Sequence, residues 1–251
     1  MHTERFTGRA ASYVTGRPTY PAALTEMLRD RDLLREGVAD VGAGTGLFTR
    51  LLLDAGAHVD AVEPNPGMRA QLEAALTVDV QSGRLRVHAG TADATGLAGG
   101  SVGLVAAAQA AHWFTPGTAV PEFRRVLRAG GRALLVWNDW RGQAAGGGFT
   151  GAYAGVVGAY AAQVPSIEYG VPFAAIAQFL PGGFEHLTFP NPLTFTRERL
   201  HALVGSVSYL PAPGTPEQTR LLRHLDAAFE RHAQGGVVMV SYVTHAFLGA
   251  P

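Results

Sequence analysis

The stretch ValAlaAspValGlyAlaGlyThrGly, residues 38–46, followed by ValAspAlaValGlu, residues 59–63, decides the fold of this 251-residue chain. The first run reads as a buried strand, a glycine-rich turn and a helix start. The second reads as another buried strand, ending in an acid. Together they make a βα unit of a nucleotide-binding half. Gly42, Gly44 and Gly46 are expected to remove the β-carbons that would hold a ligand off the backbone, and the turn to offer free N–H groups at a helix N-terminus. Glu63 is placed to accept both hydroxyls of a ribose.

Strands and helices alternate outward from this unit. Pro21 opens a helix with Leu24, Met27 and Leu28 on one stripe, before strand one at 38–41. A crossover helix at 47–55, strand two at 58–62, a turn at 65–68 and a helix at 68–76 follow. Strands three and four are read at 85–89 and 102–108, a helix at 121–127 stopped by Ala129, Gly130 and Gly131, and strand five at 132–138. The second half carries helices at 153–163, 196–207 and 216–232, a sixth strand at 184–189 and a last one at 237–247. This rhythm predicts right-handed crossovers and a parallel sheet with helices on both faces. Length favours a single domain over 1–251, with an arm or lid at 1–21, a cofactor-binding half at 22–140 and a substrate-side half at 141–251.

Composition excludes several partners. Lysine plus arginine and aspartate plus glutamate each number 20, for a formal charge of zero, and no basic block stands ready to neutralise a phosphate backbone. A nucleic-acid partner is therefore not expected. Cysteine is absent, which removes disulfides, thiolate nucleophiles and cysteine-ligated metals. The nine histidines show no pair at metal-binding spacing with carboxylates beside it, so no metal site is expected. No run is long and apolar enough to span a bilayer, and the first residues lack a signal peptide's apolar stretch, which makes a cytoplasmic location the default expectation.

The glycine turn discriminates between two cofactors. A dinucleotide fingerprint needs glycine at its first, third and sixth positions, and the sixth from Gly42 is Leu47. The frame acid-x-Gly-x-Gly-x-Gly is filled by Asp40, Gly42, Gly44 and Gly46, and resembles the pattern of class I S-adenosylmethionine methyltransferases. Further segments resemble the small-molecule members of that family, nearest the trans-aconitate methyltransferase group. They are TyrValThrGlyArgProThrTyrPro at 13–21, ValGluProAsnProGlyMet at 62–68, GlyThrAlaAspAla at 90–94, AlaGlnAlaAlaHisTrpPhe at 108–114 and GluPheArgArgValLeuArgAlaGlyGly at 122–131. Coverage runs over roughly the first 140 residues and thins beyond them.

The resemblance implies a Rossmann-like α/β fold with a seven-stranded, mostly parallel sheet in the order 3-2-1-4-5-7-6, strand seven antiparallel. It implies S-adenosyl-L-methionine as cofactor, with Gly42 and Gly44 under its methionine part, Glu63 on the ribose and Asn65 to Met68 beside the adenine, and with Asp40, Ala43, Gly46 and Pro64 also among the cofactor-binding residues. Thr91 and Ala92 would meet the adenine edge, where a hydroxyl replaces the acid common in the wider family. Gly103 stands where many relatives carry aspartate, and Ala111 where phenylalanine is common. Tyr13 and Arg17 would pair with the cofactor's carboxylate, Tyr20 lying toward the substrate.

Methyl transfer from a sulfonium is an in-line displacement, helped by positioning and a dry pocket. Gln109, His112 and Trp113 lie just after strand four, where open α/β sheets place ligands, and are candidates for the wall between cofactor and acceptor. Trp137 and Asn138 would face the acceptor from the other side. Two roles stand open for His112: a general base for a hydroxyl or amine, or a wall residue beside a carboxylate that needs no base. The expected activity is methylation of a small molecule, at oxygen of a carboxylate or hydroxyl, with carbon and nitrogen acceptors and cofactor use without methyl transfer kept open. A nicotinamide oxidoreductase is disfavoured by Leu47 and by a chain without lysine, which cannot hold a Tyr-x-x-x-Lys pair.

Overall fold

A computed structural model describes residues 16–161, 171–207 and 209–251. Its strands are β1 (Val38–Val41), β2 (Val59–Val62), β3 (Leu85–His88), β4 (Val102–Ala108), β5 (Leu127–Asp139), β6 (Phe184–Phe195) and β7 (Val238–Gly249). They form one sheet in the order β3-β2-β1-β4-β5-β7-β6, with β7 antiparallel, as the resemblance implied. The pairs β1–β2, β1–β4, β2–β3 and β4–β5 are parallel.

All four residues of β1 and of β2 are buried, as a strand covered on both faces requires. Alternate residues feed two apolar layers. Val38, Leu104, Ala106, Leu134 and Val136 pack with helices α1 (Ala22–Asp30), α2 (Leu47–Asp54) and α3 (Pro66–Ala75). Their neighbours Ala39, Val105, Ala107, Leu135 and Trp137 pack with α5 (Pro116–Val126) and α7 (Phe173–Phe179). Between α3 and α5 lies α4 (Thr77–Gln81). The short α4 and α7, five and seven residues long, were not expected; each is too brief for a helical stripe to stand out.

Two compact units alternate along the chain. One comprises Thr19–Trp137, Val171–Phe189 and Thr244–Pro251 and contains both layers above. The other comprises the described parts of Met1–Pro18, Asn138–Gly170 and Pro190–Val243. Its own core gathers Trp140, Tyr153, Leu203, Leu225 and Tyr242, drawn from the residue after β5, from β7 and from helices α6 (Gly148–Ala161), α8 (Arg197–Ser206) and α9 (Pro216–His232).

Several boundaries differ from the expectation. The helix before β5 starts at Pro116, whose preset φ suits the first helical position, so Pro121 lies inside the helix and gives up one ladder bond. Strand β5 starts at Leu127, with a register shift between its first pair and Leu104–Arg132 that accommodates the glycines read as a helix stop. Strand β6 runs on through Pro190 and Pro192 because it is the sheet edge, where a missing N–H leaves no ladder bond empty. The helix expected at 153–163 begins earlier, α6 starting at Gly148 after a 3₁₀ turn over Arg141–Gly146. Gly103 packs its backbone on Glu36, where a β-carbon would come within 2.9 Å of Glu36 Cβ; an aspartate has no room there.

Candidate active site

The glycine turn leaves the carboxyl end of β1, and Glu63 follows the carboxyl end of β2. Because the two strands are parallel and in register, Val41 opposite Val62, the turn and the acid come out side by side. Glu63 is buried; its Oε2 accepts the Gly44 N–H at 2.9 Å and its Oε1 the Asn65 N–H at 2.8 Å. Arg69 donates to the carbonyls of Glu63 and Pro64 at 2.7 and 2.8 Å, tying the exposed Pro64 to α3. Burial pushes the Glu63 carboxyl up, against the lowering effect of the Asn65 and Gly44 bonds and of the Arg69 charge.

The three glycines do different things. A β-carbon on Gly42 would lie 2.6 Å from Ala110 Cβ, and one on Gly46 2.9 Å from Leu72 Cγ, so both serve packing inside the protein. At Gly44 the nearest atom is Met68 Sδ at 4.0 Å, with φ at +58°, so this glycine alone of the three leaves its face open. The turn's N–H groups are also more engaged than expected: Gly42 and Ala43 donate to Val62 O, Gly44 to Glu63 and Gly46 to Ala43 O. Asn65 caps α3 by accepting the N–H groups of Gly67 and Met68, and Met68 is thereby buried beside the turn.

Asp40, inside β1, is buried, and its Oδ2 accepts the Thr49 hydroxyl at 2.6 Å while its Oδ1 has no hydrogen-bond partner among the described residues. Burial pushes its carboxyl up to about 7; the Thr49 bond lowers it and the Glu63 charge raises it. An orphaned buried acceptor is costly and marks the position as more than packing.

Thr91 is exposed and Ala92 buried in the apolar layer; Thr91 pairs with Ala94 in a small bridge. That loop is held by a residue sequence reasoning missed. Glu122 Oε1 accepts the Thr95 N–H at 2.9 Å and the Thr95 hydroxyl at 2.5 Å, while Arg125 grips the same carboxylate at 2.6 and 2.7 Å. The Arg125 bond, with those from Thr95, outweighs burial and holds this carboxyl down at about 2. The Glu-x-x-Arg spacing on α5 was the available signal.

Gln109, at the end of β4, has φ +54°, a strained setting for a side-chain-bearing residue, and its N–H donates to Val136 O at 2.8 Å. The kink leads into a 3₁₀ turn over Ala111–Trp113 that leaves His112 exposed. The buried Trp137 indole N–H donates to His112 Nδ1 at 3.4 Å, and the His112 ring tilts against Trp113 at 5.0 Å. Neutral His112 in this arrangement carries its proton on Nε2.

Tyr20, Arg17 and Asn138 each have partners within their own unit. Tyr20 stands edge-on to Phe48 at 5.0 Å and lines a cavity of about 310 Å³ with Arg29, Leu47 and Arg50. Arg17 and Asn138 belong to the second unit: Arg17 donates to Ser206 O at 3.1 Å, and the buried Asn138 accepts from Asn191 at 3.2 Å. Tyr13 lies outside the described residues. No helix among the described residues is long and apolar enough to cross a membrane.

Residues 39–135 match the family described as methyltransferase domain. An uncharacterized methyltransferase of Mycobacterium tuberculosis is 43% identical over 133 residues, 53% of this chain and 51% of that protein. The chain thus spans about half the length of the mycobacterial relatives it matches. A solved structure from Anaeromyxobacter dehalogenans, provisionally described as a type II methyltransferase, has the same fold with a TM-score of 0.69 at 23% identity, covering 93% of this chain and 97% of that one. An uncharacterized methyltransferase-like protein of Schizosaccharomyces pombe is 31% identical over 223 residues, covering 86% of this chain and 82% of its own length. A likeness of that depth over most of both chains, on this sheet order, means that the chain belongs to the methyltransferase family.

Proposed function

We propose that the chain transfers a methyl group from S-adenosyl-L-methionine to a small-molecule acceptor, at oxygen of a carboxylate or hydroxyl, and that residues 1–251 act as one domain with 1–21 as its arm. The observation that carries this reading is the Glu63 carboxylate bound to the one glycine of the turn, Gly44, whose face is open. The residues present fit the cofactor. Gly44 is a cradle that a side chain would fill, and the orphaned Asp40 Oδ1 is a buried acceptor suited to a cationic or hydroxyl partner.

When bound, the cofactor supplies an electrophilic methyl group on a sulfonium. Glu63 keeps lone pairs beyond those given to Gly44 and Asn65, and with them would take the ribose hydroxyls. Met68 and Pro64 would flank the base, with Thr91 and Ala92 at its edge. Gln109 would meet the cofactor at the wall between it and the acceptor, and His112 and Trp113 would orient the acceptor, with Trp137 fixing His112 from behind. A neutral Nε2–H is a donor, and suits an oxygen that already carries negative charge. The resemblance to the trans-aconitate methyltransferase group favours a carboxylate for that oxygen.

Calorimetry with S-adenosylmethionine and with NADH tests the cofactor; binding of NADH alone would overturn the reading. A mass-spectrometric screen of small carboxylic acids, phenols and isoprenoids, following a methyl mass increase together with S-adenosylhomocysteine, tests the transfer. Cofactor binding without S-adenosylhomocysteine across the screen would point to use of the sulfonium without transfer.

A further inference from the structure

A second cavity, of about 440 Å³, opens at the other ends of the same strands. Its lining includes Gly37, His58, Arg84 and Ser101, the residues that immediately precede β1, β2, β3 and β4. Four strand residues at about 3.3 Å each put roughly 13 Å between this end of β1 and the glycine turn. The walls carry Arg35, Arg84, Arg86 and Arg128 against only two carboxylates, Glu36 and Asp60.

The arginines are not equally committed. Arg86 forms a two-pronged pair with Asp60, both contacts 2.8 Å, and Asp60 also meets His88 at 2.7 Å. Arg84 pairs with Asp79 and donates to the Leu53 carbonyl at 3.2 Å, which serves the C-terminal end of α2. Arg35 and Arg128 are held more loosely: Arg35 lies 3.6 Å from Asp32 and Arg128 3.9 Å from Glu36, all four side chains about half exposed or more. Ion pairs so long and so solvated contribute little, so their charge is available to another anion. Ser101 also lines the cavity, with its hydroxyl oxygen buried and without a hydrogen-bond partner among the described residues.

We propose that this cavity binds a compact polyanion of the phosphate or pyrophosphate class, held by Arg35 and Arg128. The volume suits a phosphorylated metabolite. The planar donor forks of arginine match phosphate oxygens in pairs, which chloride cannot reproduce. The inference stands independently of the methyl-transfer reading, since no residue is shared with the glycine turn.

The test is titration calorimetry of the full chain with sodium pyrophosphate at constant ionic strength, with inorganic phosphate, sulfate and chloride in parallel. Saturable binding of pyrophosphate over chloride is expected, weakened about tenfold or more by the paired change Arg35→Gln and Arg128→Gln. S-adenosylhomocysteine should leave the titration unchanged. Both arginines are surface side chains, so the double variant should melt as the parent does without anion. Absence of saturable binding, equal affinity in the double variant, or displacement by S-adenosylhomocysteine would each overturn the site.

Discussion

Glu63 Oε2 accepts the backbone N–H of Gly44 at 2.9 Å, so the acid that follows β2 closes the turn that follows β1. The two residues are 19 apart in sequence and act as one element. A change at either should disturb the cofactor through the other.

Glu63→Ala leaves the Gly44 and Asn65 N–H groups without their acceptor and removes the charge we propose for the ribose. Cofactor affinity should fall about ten- to a hundredfold, from a loss of roughly 1.5–3 kcal/mol. Calorimetry with S-adenosylmethionine measures it. Unchanged affinity would remove Glu63 from the site.

The glycines should separate by phenotype. Gly44→Val has space but a left-handed φ, and should fold with some loss of stability while no longer binding cofactor. Gly42→Ala drives a β-carbon into Ala110 and should chiefly lower the melting temperature. Thermal melts with and without S-adenosylhomocysteine distinguish the two; a Gly44→Val protein stabilised by ligand as the parent is would refute the assignment.

Asp40 should make stability depend on pH. Its carboxyl sits at about 7 in the folded chain, against about 3.9 when unfolded, so between those values the folded state holds the extra proton. Stability should therefore rise as pH falls from about 7 toward about 4, with a slope approaching 1.4 kcal/mol per pH unit, and the full cost of the buried charge is present above 7. Asp40→Asn keeps an acceptor for Thr49 and should flatten that slope in urea titrations at about pH 5 and about pH 8. A slope equal to the parent's would exclude Asp40 as its source.

His112→Ala should raise the acceptor's Michaelis constant more than it lowers turnover, because Nδ1 already accepts from Trp137 and the remaining Nε2–H can only donate while the ring is neutral. Trp137→Phe frees Nδ1 and should move the constant the same way, at some cost in stability since Trp137 is buried. A turnover loss of about 10²–10⁴-fold in His112→Ala, recovered at high pH, would make His112 the base instead.

Glu122→Ala should destabilise by several kcal/mol, about 2–4, since it strands the Thr95 N–H and hydroxyl in a buried setting and leaves Arg125 unpaired. Glu122→Gln should recover part of this. Urea unfolding reads both, and equal stability of all three proteins would show that the Thr95 loop is held by something else.

Short-range pattern by itself determined the strand–turn–helix at 38–54, the acid after β2 and the alternation that makes a parallel sheet, because apolar period and turn chemistry are properties of neighbouring residues. Element ends were less legible: Pro121 and Pro190 read as boundaries, yet one lies inside a helix and the other in an edge strand, and edge position is a fact of the assembled sheet. Only tertiary structure decided which glycine keeps an open face, since Gly42 meets Ala110 and Gly46 meets Leu72, residues far along the chain. The same holds for Glu122 under Thr95, for Trp137 behind His112, and for the arginines gathered around the second cavity. Each of these rests on contacts between residues 25 or more apart, which no local window contains and which exist only once the strands have taken their register.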